Sequence, residues 1–168
     1  MRSGTITLRI DSQLENVFLV GAAIHRICTA MRLGEQAAYE VEVSAVEAVN
    51  NAITHAYEGE RGHAVEVVVT VAGDRMIVDV CDTGRPIQRL RCELPPVDEA
   101  HYENLAEGGR GLFIMHAFSD ALAYERIGER NVLTLVKMLP THTVSQRGDR
   151  GSRAVRAAAA SANVGKTG

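Results

Sequence analysis

The stretch "VEAVNNAITHAYEG", Val46 to Gly59, carries a glutamate and two adjacent asparagines among small apolar residues. Asparagine is a poor helix former, because its side chain competes for backbone hydrogen bonds. A solvated helix face is built more cheaply from Lys, Arg or Gln. At 100° per residue, Glu40, Ser44, Glu47, Asn51, Thr54 and His55 share one side of a helix. Val41, Ala45, Ala48, Val49, Ala52, Ile53 and Ala56 share the other. Glu47 and Asn51 are one i,i+4 step apart, so both side chains reach the same space. They are either a solvated polar face or a carboxylate and a neutral oxygen donor aimed into a cleft. Mg²⁺ takes such oxygens while keeping several waters and sharing substrate phosphates.

Two other segments could join that chemistry. In "VDVCDTGRP", Val78, Val80 and Asp82 share one strand face, and the chain turns at Gly84. Asp82 is then a turn-initiating residue or a carboxylate at the floor of an apolar pocket. In "EGGRGLFIM", Gly108, Gly109 and Gly111 lead into a helix. Such a junction offers backbone N–H groups to phosphate, although glycine clusters are also ordinary loop punctuation.

The elements that must hold these residues follow from periodicity. "TITLRI" (Thr5–Ile10) alternates as a strand, and Ser12 with Glu15 has capping-box spacing. Leu14, Val17, Phe18, Gly21, Ile24, Cys28 and Met31 recur at three and four, an amphipathic helix stopping at Gly34. A second helix spans about Glu35 to Tyr57. "HAVEVVVTVA" and "RMIVDVCD" form a hairpin, "GLFIMHAFSD" is a short helix, and "ALAYERI" and "RNVLTLVKML" are two more strands. The order β, α, α, β, β, long loop, α, β, β predicts an α+β two-layer sandwich. Its sheet is mixed but mainly antiparallel, with helices on one face.

Composition bounds the rest. The 168 residues suit one domain, 1–140, with a tail. Net charge is −3, and from residue 141 five bases face one acid, so the body is acidic and the tail basic. The tail lacks periodicity and is expected to be disordered and solvated rather than nucleic-acid binding. Cys28, Cys81 and Cys92 form no CxxC and are odd in number, which speaks against a zinc site or a disulfide framework and fits the cytoplasm. No apolar run has membrane-span length. "GKT" near the end lacks the first glycine and the setting of a P-loop, and no HRD or DFG set marks an ordinary protein kinase.

The three segments, in this order and spacing, resemble the GHKL ATPase superfamily with its Bergerat nucleotide-binding fold. "EAVNNAITHAY" is similar to its N box, "DTGRP" to its G1 box, "GGRGL" to its G2 box and "VLTLVK" to its closing strand. The resemblance covers roughly residues 5–139. Small size and the wording of the N box resemble the anti-sigma-factor serine kinases of the RsbW and SpoIIAB type. Room for a phosphoacceptor helix pair or a transducer domain, as in other branches, is not expected.

What the resemblance implies is specific. Asn51 would ligate Mg²⁺ on the ATP phosphates, and Glu47 would be the general base toward a serine hydroxyl. Asp82 would accept the adenine amino group, Gly84 would allow close approach, and Thr134 would lie on the adenine side. Gly109, Arg110 and Gly111 would lie at the phosphates, in a lid over about 93–110. His55 would border the cleft, unless it makes only a structural hydrogen bond. Pro86 departs from the pattern, standing where the wider superfamily has a second G1 glycine. The implied activity is Mg²⁺-ATP-dependent phosphorylation of a serine on a STAS-domain antagonist, with a sigma factor or similar regulator held by partner switching. A homodimer would form through the N-terminal strand and helices. A binding-only regulator and a switch kinase acting on a phosphatase pathway remain as alternatives.

Overall fold

The computed structural model describes residues 3–87 and 107–140. Its elements are β1 (Gly4–Asp11), α1 (Val17–Ala30), α2 (Glu35–Asn51), β2 (Ala64–Ala72), β3 (Arg75–Asp82), α3 (Glu107–Phe118), β4 (Ala121–Ile127) and β5 (Arg130–Met138). The five strands form one sheet in the order β1-β2-β3-β5-β4. All four pairings are antiparallel, so the sheet is less mixed than expected. The expected two-layer α+β sandwich is present.

Strand alternation decides where the core lies. Val65, Val67, Val69, Met76, Val78 and Val80 point to one face of the central hairpin and are buried. Ile24, Cys28, Ala45, Val49 and Ile53 of the helices close on them in one continuous core. Burial pushes the Cys28 thiol up to about 11, which leaves it an inert small apolar side chain. Small residues on α2 let this helix lie close to the sheet. Lys137 of β5 ties the layers together: its Nζ donates to Glu40 Oε2 at 2.8 Å and to the Phe118 carbonyl at 2.9 Å. That pairing holds the Glu40 carboxyl below its usual range.

Three local expectations are corrected. Ser12 does not cap α1. It is buried and staples the end of β1 to the turn before β2, its hydroxyl donating to the Glu60 carbonyl at 2.6 Å and accepting from His63 N–H at 3.2 Å. Glu15 pairs with Arg61 instead. Ser44, expected on the polar face, is buried, because α3 and β5 close on that side of α2 and widen its buried arc. The second helix is not α-helical throughout: Ala52–Ala56 form a π turn, with Tyr57 N–H reaching back to the Ala52 carbonyl at 3.0 Å. The tail from 141 and residues 88–106 of the expected lid lie outside the described residues.

Candidate active site

Helix α2 delivers Glu47 and Asn51, and the end of β3 delivers Asp82. Between them a cleft of about 330 Å³ opens beneath the C-terminal half of α2. That volume is within the range of small-ligand sites. Its walls are apolar (Ala48, Val80, Leu112, Met115 and Leu133), and its polar groups are few: Asn51 at one end, Asp82 at the other, His55 at the rim. Such a lining takes a flat apolar body with polar edges.

At the first end, Gly111 of α3 meets the α2 polar face. A Cβ on Gly111 would come within 2.7 Å of Glu47 Oε2, and 3.5 and 3.6 Å from the Asn51 amide atoms. Only glycine leaves that space to the two side chains. The expected glycine loop is therefore helical: Gly108, Gly109, Arg110 and Gly111 sit in the first turns of α3. The first N–H groups of a helix have no intrahelical acceptor, so a turn of this kind can offer donors to an anion. Arg110 is exposed there. Glu47 is half-buried and close enough to Asn51 for both to address one ligand atom group.

At the second end, the backbone is tied down. A Cβ on Gly84 would lie 2.3 Å from the Ala56 carbonyl oxygen, an impossible contact, so the turn after β3 requires glycine. Arg85 N–H then donates to that carbonyl at 2.8 Å. Thr83 N–H donates to the Tyr57 hydroxyl at 2.9 Å, and this hydroxyl donates to the Ala64 carbonyl at 2.8 Å. The π turn and the residue after it thus clamp the end of α2 onto the Asp82 turn. Short π segments of this kind recur at functional sites.

Asp82 Oδ1 accepts from Gly84 N–H at 2.8 Å and from Asn131 Nδ2 at 2.6 Å. Burial pushes the Asp82 carboxyl up from its ordinary value, while Asn131, the Gly84 N–H and the nearby Arg126 charge pull it back. Its other oxygen takes no hydrogen bond from the described residues and is left to the cleft.

Thr134 is not brought to the cleft. Its hydroxyl donates to Asp79 Oδ1 at 2.7 Å, on the opposite face of the sheet. The β3–β5 register pairs Asp79 with Thr134 and Asp82 with Asn131, so Asn131 stands where the resemblance put a threonine. Sequence reasoning missed Asn131 and its partner Tyr124. One signal was available for Asn131: asparagine is depleted in strands, and this one opens an otherwise apolar run.

The geometry fits an adenine nucleotide. The cleft has an acceptor at its closed end for an amino group, apolar walls for a flat ring, and a helix N-terminus with an asparagine amide at the other end. No helix among the described residues is long and apolar enough to cross a membrane.

Comparison with known proteins agrees with this arrangement. Residues 10–137 match the histidine kinase-like ATPase domain. The chain is 30% identical over 120 residues to the serine-protein kinase RsbW of Bacillus pumilus, a match covering 68% of this chain and 74% of that protein. RsbW of Bacillus subtilis is 26% identical over 118 residues, covering 68% and 74%. RsbW of Listeria monocytogenes is 26% identical over 118 residues, covering 68% and 75%. The N-box helix, the Asp82 turn and the glycine-led α3 converge on one cleft inside the matched region, and the chain belongs to the histidine kinase-like (GHKL) ATPase family, with RsbW-type serine kinases among its relatives.

Proposed function

We propose that the protein is a serine kinase that uses Mg²⁺-ATP to phosphorylate a serine on a STAS-domain antagonist and controls a sigma factor or similar regulator by partner switching. The observation that supports the reading is the close approach of Gly111 to Glu47 and Asn51, which leaves a carboxylate next to the Asn51 amide that lines the cleft. Asp82 would take the adenine amino group, and the first turn of α3, with Arg110, would hold the phosphates. Asn51 would supply one oxygen to Mg²⁺, whose bound charge offsets that of the phosphates.

In the transfer, the serine oxygen bonds to the γ-phosphorus as the bond to the β–γ bridging oxygen breaks. The electron pair leaves on ADP, and the serine proton passes to Glu47. An aliphatic hydroxyl is a weak nucleophile until its proton has an acceptor, and a positioned carboxylate contributes about 10²–10⁴-fold. The setting would be the cytoplasm and the working unit a homodimer. Exposed large apolar side chains gather near the N-terminus, at Ile6, Leu14, Phe18 and Leu19, and β1 is an edge strand.

Incubation with γ-labelled ATP, Mg²⁺ and candidate STAS proteins tests the activity, with phosphoserine on the STAS protein as the expected product. Nucleotide binding without transfer to any STAS partner would establish a binding-only regulator instead. Light scattering at micromolar protein should give a mass near twice 18.2 kDa; a monomer only would remove the dimer.

A further inference from the structure

Four hydrogen bonds around Asp82 run in one direction. The Ile87 N–H donates to the Tyr124 hydroxyl at 2.9 Å, and this hydroxyl donates to Asn131 Oδ1 at 3.1 Å. Asn131 Nδ2 donates both of its protons, to Asp82 Oδ1 at 2.6 Å and to the Gly84 carbonyl at 3.1 Å. The amide orientation is settled by chemistry. A flipped Asn131 would point its oxygen at a carboxylate and a carbonyl, three acceptors with no proton between them, and would turn its NH₂ toward the Tyr124 hydroxyl. Asn131 is 1% exposed, so no bulk water would repair that error.

The chain has a consequence for the cleft. With Gly84 N–H also bonded to it, Asp82 Oδ1 is saturated by two donors. The other oxygen accepts from no described residue, and because Asp82 lines the cleft, a ligand there meets it as a pure acceptor. Successive donors pointing the same way polarise one another and favour the ionised carboxylate. Nothing in this arrangement can donate from the Asp82 position to a ligand carbonyl.

We propose that Asn131 and Tyr124 are specificity-determining positioning residues of the base site: by holding Asp82 with one oxygen saturated and the other an obligate acceptor, they make the cleft select a 6-amino purine over a 6-oxo purine. The inference rests on the proposed nucleotide reading and deepens it. Asn131 is not among the residues that line the cleft and acts through Asp82; Tyr124 borders the cleft and acts through Asn131. Asn131 comes from β5 and Tyr124 from the edge strand β4, so the specificity of a turn on β3 is set by the two strands beside it.

The test compares ATP with inosine triphosphate, which carries a carbonyl in place of the 6-amino group. Calorimetric titration with Mg²⁺ gives the ratio of the two dissociation constants. In the wild type, ATP should bind about 10- to 150-fold more tightly, the worth of one hydrogen bond to a charged group. Asn131→Asp sets a second carboxyl against Asp82, and the pair will share a proton. That proton, held between the two carboxyls, draws charge from Asp82 and weakens its outer oxygen as an acceptor, and the preference should fall about tenfold. Tyr124→Phe removes the one donor that pins the Asn131 oxygen, and the preference should fall about two- to tenfold, with a loss of a few degrees of melting temperature from the buried oxygen left unpaired. Tyr124 is only half-buried, so this variant decides the matter if Asn131→Asp does not fold.

A purely structural role for the chain would lower the melting temperature and leave the ATP preference at its wild-type value in both variants. That result overturns the inference while leaving the base site intact, provided Asp82→Asn weakens ATP. A wild type without preference, together with an Asp82→Asn variant that binds ATP normally, would overturn both the inference and the base-site reading beneath it.

Discussion

The two ends of the cleft are built differently. Around Asp82, the carboxylate, the Gly84 turn, Asn131, Tyr124, Tyr57 and the Ala56 carbonyl form one hydrogen-bonded unit. Around Glu47 and Asn51, the described residues supply a shape rather than a network: Gly111 leaves room, and neither side chain is bonded to a described neighbour. On the proposed function, the contrast follows from the two tasks. Recognition of a base edge requires an acceptor fixed before the ligand arrives, because a misdirected polar group costs affinity. Phosphoryl transfer requires side chains that can engage phosphate, metal and an incoming hydroxyl, groups that come with the substrates.

The strongest way to break this comparison is to exchange one atom at each end. Glu47→Gln keeps size and removes the base. It should cut phosphorylation of the antagonist by two or more decades and leave ATP affinity within a few-fold. Transfer at the wild-type rate would remove Glu47 from the base role. Asp82→Asn should do the converse. Its oxygen can still accept from Gly84 and Asn131, but it turns an NH₂ toward the base, so ATP binds about 10- to 150-fold more weakly. Unchanged affinity by calorimetry would take Asp82 out of the site.

A sharper comparison places the same methyl group on both glycines. At Gly111, an added Cβ meets the tip of a flexible carboxylate, 2.7 Å away, which can move aside. Gly111→Ala should therefore fold with nearly wild-type stability and lose about a hundredfold in turnover, because Glu47 is displaced. At Gly84, the added Cβ meets backbone, 2.3 Å from the Ala56 carbonyl, which cannot yield without breaking the clamp. Gly84→Ala should cost about 1–3 kcal/mol of stability and several degrees of melting temperature, along with nucleotide affinity. Equal stability losses in the two variants would show that the ends are equally rigid.

The smallest effect is in pH dependence. Burial raises the Asp82 carboxyl above 3.8, so the folded chain retains a proton that the unfolded chain has released. Its contribution to stability therefore falls as pH rises from 3.8 to the raised value, and is level above it. Affinity for ATP, which needs the ionised acceptor, rises through the same window. Glu40 acts in the opposite sense: paired with Lys137, it contributes fully above 4.5, and this is lost as pH falls through its lowered value. Against the wild type, Asp82→Asn should gain relative stability as pH rises through that window, and Glu40→Gln should lose it, in urea melts taken from pH 3.5 to 7. Parallel curves for Asp82→Asn and the wild type would mean that burial does not strain the carboxylate.

The amino-acid sequence alone was enough for the order of elements, the hairpins and the helical face that carries Glu47 and Asn51. These are local properties: alternation, i,i+4 spacing and turn residues act within a few positions of chain. The pattern of boxes also pointed to Asp82, Gly84 and Gly111. The π turn after Asn51 was not legible, because Ala52–Ala56 keep helical composition and the contact of the Ala56 carbonyl with the turn after β3 is a long-range one. Ser44 was misplaced because a single helix does not report how many neighbours close around it. Thr134 and Asn131 show the same limit most directly. Val132, Leu133, Leu135 and Val136 make β5 apolar on both faces, so alternation alone does not say which face meets the cleft. Antiparallel register sets Asn131 against Asp82 and Thr134 against Asp79, and a one-residue slip would exchange their faces. Which strand lies beside β3, and in which register, is decided by burial of the whole sheet against α1 and α2, and that is a property of the tertiary structure rather than of any segment of the chain.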